Sequence, residues 1–169
     1  MKKLILLSIL LAAVFFTAGC IGNSMSSQES SGKSAVVEVT QLEQINASLQ
    51  ESPVFLKIGA KWCPHCRSMK PILEEMAAEY AGNATIASID IDKSPELTEY
   101  FGVKSIPDSC VIVDIENGTY IYMQENGTVS TDRSKARFIG LNETAGPNEK
   151  TFEKVLDLAI LRKGKGKSK

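Results

Sequence analysis

The stretch KWCPHC, residues 61–66, decides how the rest of the chain is read. It stands where a compact apolar run, PVFLKIG at 53–59, gives way to helical spacing with Met69, Ile72, Leu73, Met76 and Ala77. The pattern predicts a strand, a junction carrying Cys63, Pro64, His65 and Cys66, and then a helix that Pro71 kinks and Gly82 ends. Cysteines at i and i+3 on a first helical turn can close a small structural ring, hold part of a metal site or act as a reversible dithiol. A bridge this short constrains little chain and gains little stability. Zinc takes four ligands, and a chain with one histidine and only Cys110 to spare is poor in them, so no metal is expected. Haem attachment reads C-x-x-C-H, whereas Arg67 follows Cys66. A reactive dithiol fits the surroundings better. The unpaired N–H groups of a helix start, together with Pro64 and a protonated His65, are expected to lower the pKa of Cys63 and make it the attacking sulfur, with Cys66 resolving. A stabilised thiolate is also a better leaving group, which makes the disulfide form a stronger oxidant.

Around this junction the elements alternate. AVVEV (35–39) reads as a short strand, and TQLE (40–43) as a capping box opening a helix with Leu42, Ile45 and Leu49 on one face. ATIASIDI (84–91) is a strand, and SPELTEYFG a helix with Ser94 as N-cap, Pro95 first and Gly102 last. SCVIVDI (109–115) and a longer stretch from TYIYM to ARFIG (119–140) are β segments, and a final helix is expected from about Asn148 to Leu161. Parallel crossovers followed by an antiparallel hairpin predict an α/β domain over 35–161, with a central mixed sheet and helices on both faces.

These residues resemble the thioredoxin family over roughly 36–161. WCPHC is similar to the family's W-C-x-x-C, Pro71 to its helix kink, and YFGVKSIP (100–107) to the stretch ending in its cis-proline; Pro107 follows Cys63 by 44 residues, as in the family. The resemblance implies a thioredoxin fold and thiol:disulfide oxidoreductase chemistry on protein thiols or disulfides, with an unidentified redox partner and no cofactor beyond the Cys63–Cys66 pair. It implies tuning by Trp62, Pro64 and His65, and a cis Pro107 that sets the backbone of Ile106 beside the sulfurs to pair with an extended substrate. The Pro-His dipeptide is similar to the periplasmic disulfide oxidase of bacteria rather than to reducing thioredoxins, which points to disulfide formation or isomerisation; a reductase and a non-catalytic binding module are the alternatives. The 27 residues between Cys66 and Ser94 leave no room for that oxidase's helical insertion. Three positions depart from the family. Lys57 replaces a buried acid and is expected either to act on Cys66 as base or cation or to snorkel to solvent. Asp108 replaces the usual Thr and is expected to put an acid near the dithiol. NGTVSTDRSK (126–135) is a polar excess, expected to extend a hairpin between the last two strands. Cys110 reads as a buried inert thiol or a third redox thiol.

The N-terminus is basic at Lys2 and Lys3, apolar from Leu4 to Phe16, and closes on TAGC at 17–20. This predicts a signal peptide over 1–19 and resembles a lipobox with Cys20 as the lipidated residue, which implies an extracytoplasmic protein anchored to the cell membrane. Residues 20–34 are rich in Ser and Gly and read as a flexible tether. Residues 20–161 carry 12 basic against 20 acidic side chains, a net charge of −8, which argues against nucleic acid as partner. RKGKGKSK (162–169) is expected to be a disordered basic tail, solvated or resting on anionic headgroups. Asn46, Asn83, Asn117, Asn126 and Asn142 head N-x-S/T sequons, a density expected of N-glycosylation at an archaeal cell surface.

Overall fold

A computed structural model describes residues 35–138 and 149–166. The signal segment, Cys20, the 20–34 tether and Asn142 lie outside the described residues. The elements are β1 (Val37–Glu38), α1 (Leu42–Glu51), β2 (Val54–Gly59), α2 (Pro64–Ser68), α3 (Lys70–Glu79), β3 (Thr85–Asp90), α4 (Pro95–Tyr100), β4 (Asp108–Glu116), β5 (Thr119–Met123), β6 (Val129–Ser130), a 3₁₀ turn (Arg133–Ala136) and α5 (Glu149–Gly166).

The strands form one sheet in the order β1-β3-β2-β4-β5-β6. β3 runs parallel to both β1 and β2, and β2–β4, β4–β5 and β5–β6 are antiparallel. The central strand β2 is covered on both sides, which is why its residues are apolar in both phases of the alternation apart from Lys57. Phe55 and Val111 face α3 and α5 in one cluster with Leu73, Met76, Phe152 and Leu156. The Phe55 and Phe152 rings meet edge to face at 5.1 Å. Leu56, Ile58, Cys110 and Ile112 face the other way, in a second cluster with Ile45 and Leu49 of α1 and Leu97 of α4.

Three local expectations change in detail. The cap of α1 is set one residue later, because Gln44, not Glu43, reaches back to the amides of Thr40 and Gln41. The helix after the cysteines is interrupted for one residue at Met69, itself in helical conformation, since Pro71 lacks the N–H that would bond the carbonyl of Arg67; the Met69 amide takes that carbonyl instead. The polar excess forms its hairpin between the last two strands, β5 and β6, and leaves the β4–β5 turn short. β4 and β5 join through a two-residue turn, Asn117 and Gly118, both at positive φ, and the extra residues build short β6 and the 3₁₀ turn before Phe138 bridges back to Ser109. The basic tail is not disordered from 162 as expected, because α5 continues to Gly166. Lys163 donates to the carbonyl of Leu49 at the end of α1, and cations suit the negative end of a helix.

Candidate active site

β2 delivers the chain to a short turn, Ala60 to Trp62, and Cys63 becomes the N-cap of α2 with Pro64 in its first turn. The Cys63 sulfur accepts the backbone N–H of Cys66 at 3.2 Å, so a helix-start amide that has no intrahelical partner is directed at it. Both residues are buried, Cys63 at 5% and Cys66 at 3% exposure, and both are free thiols. Burial, then a hydrogen bond to the Cys63 sulfur, pushes the Cys66 thiol up to about 11, against the pull of the Ala60 backbone and the Lys57 charge. One sulfur thus sits in the donor field of the helix start while the other keeps its proton.

The neighbours divide by depth. Trp62 is 61% exposed and donates from Nε1 to Asp92 at 2.9 Å, and His65 is exposed on α2. Arg67 reaches under the turn to the carbonyls of Lys61 and Trp62. The Ile106–Pro107 peptide is cis, and Ile106 packs with Ile91 against Ala60, Cys63 and Cys66. Lys57 is half-buried. A Cβ built on Gly59 would lie 2.6 Å from the Cys66 sulfur and 2.7 Å from Lys57 Nζ, so those two atoms are no further apart than the sum of these distances. Both residues line a cavity of about 600 Å³ together with Leu73 and Asp90.

Sequence reasoning missed Gly59. Only a residue without a Cβ lets the buried thiol approach the strand so closely, and a glycine at a strand end carries no sign of what will pack on it. The expected role of Asp108 is corrected. Its carboxylate lies on the Ile58 side of the sheet and is engaged by Arg133 and Arg137, so it is not an acid facing the dithiol. Cys110 pairs with Leu56, one residue out of phase with Lys57, and packs in the cluster on the opposite face. Burial pushes its thiol up to about 11 despite the nearby Arg133 guanidinium. Of the sequons, Asn83, Asn117 and Asn126 are exposed in turns, whereas Asn46 accepts the Tyr120 hydroxyl at 2.7 Å between α1 and β5. No group of three or more His, Cys, Asp or Glu able to hold a metal occurs among the described residues.

Residues 35–134 match the family model described as Thioredoxin. The chain belongs to the thioredoxin family. It is 38% identical over 73 residues to a thioredoxin of Alicyclobacillus acidocaldarius, an overlap covering 43% of this chain and 70% of that protein. It is 40% identical over 78 residues to a thioredoxin of Mycobacterium bovis, covering 46% and 67%. A solved thioredoxin from Trypanosoma brucei brucei superposes with a TM-score of 0.53 at 19% identity, covering 76% of this chain and 95% of that one, a likeness of fold. Thioredoxin-family membership makes the chain a thiol:disulfide oxidoreductase with Cys63 and Cys66 as its redox pair. The family acts on protein thiols and disulfides and needs no cofactor beyond those cysteines.

Proposed function

We propose that this thioredoxin-family protein is tethered to the outer side of the cell membrane through Cys20 and forms or isomerises disulfides in proteins there. The observation that carries the direction is the setting of Cys63, an N-cap sulfur that accepts the Cys66 amide, with Pro64 and His65 between the two cysteines. A sulfur held this way is a good leaving group. A substrate thiolate attacks Cys63 of the Cys63–Cys66 disulfide, the S–S bond breaks, and its electron pair passes to Cys66, which takes a proton. A second substrate thiolate then attacks the mixed disulfide, and Cys63 leaves as thiolate. The substrate ends two electrons poorer and the dithiol two richer, and a further oxidant recharges the pair. In the reverse sense Cys66 must lose its proton to resolve, and Lys57, beside it in the cavity, favours the anion. The N-terminal apolar stretch and TAGC support the location, and Asn83, Asn117 and Asn126 are the sequons open to a glycan.

A second reading, a reductase, is favoured by the name thioredoxin that the relatives carry. Equilibrating the full chain in detergent with glutathione separates the two. A reduction potential of about −120 to −180 mV supports disulfide formation, and one of about −270 mV establishes the reductase instead. Mass spectrometry of the mature N-terminus tests the lipid on Cys20.

A further inference from the structure

Asp108 begins β4 directly after Pro107 and is wholly buried, a costly place for a carboxylate unless it is fully partnered. Its partners come from the segment that follows β6. Arg133 Nη2 meets Oδ1 at 2.9 Å and Nη1 meets Oδ2 at 3.2 Å, while Arg137 Nη2 lies 2.7 Å from Oδ2 as an ion pair without an aligned hydrogen bond. Neutralising one carboxylate needs one arginine. Arg133 has a second engagement, since Nη1 also donates to the carbonyl of Phe101 at 2.9 Å and the guanidinium lies over the Phe101 ring, 5.6 Å from its centre. That carbonyl belongs to the C-cap of α4, where helices leave acceptors unsatisfied. One residue beyond Arg137, Phe138 exchanges both backbone hydrogen bonds with Ser109, at 3.0 and 2.8 Å.

Phe101 and Asp108 are the two ends of the loop 102–107, and a single planar guanidinium, 10% exposed, ties them together. The loop carries Ile106 against the dithiol. We infer that Arg133 is a positioning residue for substrate docking, holding both ends of the 102–107 loop so that Ile106 presents its backbone to a protein substrate at a set distance from Cys63. This rests on the reading that protein thiols or disulfides dock beside Ile106. Lysine cannot replace arginine here, because a point charge on a flexible stem lacks the fork that reaches both carboxylate oxygens and the carbonyl.

The test uses the full chain with Arg133→Lys, Arg133→Met and Arg137→Met, insulin as the protein disulfide with dithiothreitol as the reductant that regenerates the dithiol, and the equilibrium constant with glutathione as a readout of the dithiol alone. Arg137 still faces Asp108 in both Arg133 variants, and Arg133→Lys keeps the cation, so that variant carries the measurement if Arg133→Met fails to fold. Both Arg133 variants are expected to raise KM for insulin about tenfold, with kcat and the glutathione constant within about twofold of the native chain. Arg137→Met is expected to leave KM unchanged, since Arg137 has no hydrogen bond to Phe101. Native KM in Arg133→Lys would mean that charge alone matters, and an equal rise in Arg137→Met would mean that loss of Asp108 neutralisation is responsible; either result overturns the inference. So does a parallel change in kcat and the glutathione constant. A native chain that equilibrates with glutathione but exchanges with neither insulin disulfides nor reduced protein thiols sinks the substrate reading and this inference with it, whereas a native chain that turns insulin over, with Arg133 variants identical to it, sinks only the inference.

Discussion

Cys66 and Cys110 are both buried, and burial pushes both thiols up to about 11, yet only one of them belongs to a reaction centre. Cys66 has the Cys63 sulfur three residues before it, the Lys57 ammonium beside it and a cavity of about 600 Å³ behind it. Cys110 has Leu56 across the strand pair, Tyr122 and Ile112 in its cluster, and the guanidinium of Arg133 nearby, already engaged with Asp108 and Phe101. The difference teaches that burial and a high pKa do not mark a reactive thiol. A partner sulfur on the same turn and a route for the proton do, and the sheet keeps the two thiols on opposite faces.

The sharpest way to break this comparison is to exchange cysteines. Cys63→Ser is expected to lower insulin-disulfide turnover by at least about a thousandfold, because the attacking atom is gone, while Cys110→Val stays within about twofold of the native rate. Cys66→Ser is expected to leave a stable mixed disulfide on Cys63, visible on a non-reducing gel. Turnover lost in Cys110→Val would make it a third redox thiol after all.

Alkaline stability comes next in size. The ordinary cysteine value is 9.0, so an unfolded chain sheds these protons near pH 9 while the fold holds them to about 11. A folded pKa raised above the unfolded one means stability that is complete below about pH 9 and is lost as pH rises through about 11. For Cys110 the loss is on the order of 2–3 kcal/mol. Urea unfolding of the reduced protein at pH 8 and at pH 10 is expected to show the fall, with a smaller fall in Cys110→Val. Oxidation removes the Cys66 share only. Equal falls in the native chain and Cys110→Val would show that the sealed thiol is not held protonated.

The smallest expected effect sharpens the role of Lys57. Lys57→Met removes a charge that favours the Cys66 thiolate, so the mixed disulfide on Cys63 is expected to decay about fivefold to tenfold more slowly at pH 7. The gap is expected to close as the pH approaches the Cys66 value of about 11, where hydroxide removes the proton unaided. Decay followed by acid quench and mass spectrometry checks this. A pH-independent gap would make Lys57 a packing residue.

Much of the molecule was legible because its signals are local. The apolar run of β2, the helical spacing after Cys63 and Ser94-Pro95 at a helix start each report their own backbone, and together they lead to a mixed sheet. The helix end after Leu161 was misjudged because a run of Lys and Gly looks solvated until a partner such as the Leu49 carbonyl is known. Asp108 was misjudged for a similar reason. Its position after Pro107 shows that an acid is close to the site in sequence, but not which face of the sheet it occupies or that two arginines from 133 and 137 will meet it.

By itself the sequence determined the main elements, their order and the dithiol, since hydrophobic period, turn residues and an i, i+3 cysteine pair act over a few residues. Tertiary structure alone decided which charges are neutralised and that Cys110 lies on the face of the sheet away from the dithiol. Only packing brings Gly59 against Cys66, sets Lys57 beside it and closes Arg133 over both ends of the 102–107 loop. The physical reason is range. Backbone preferences are set between neighbours in the chain, whereas the energy of a buried charge or thiol depends on groups brought to it from dozens of residues away.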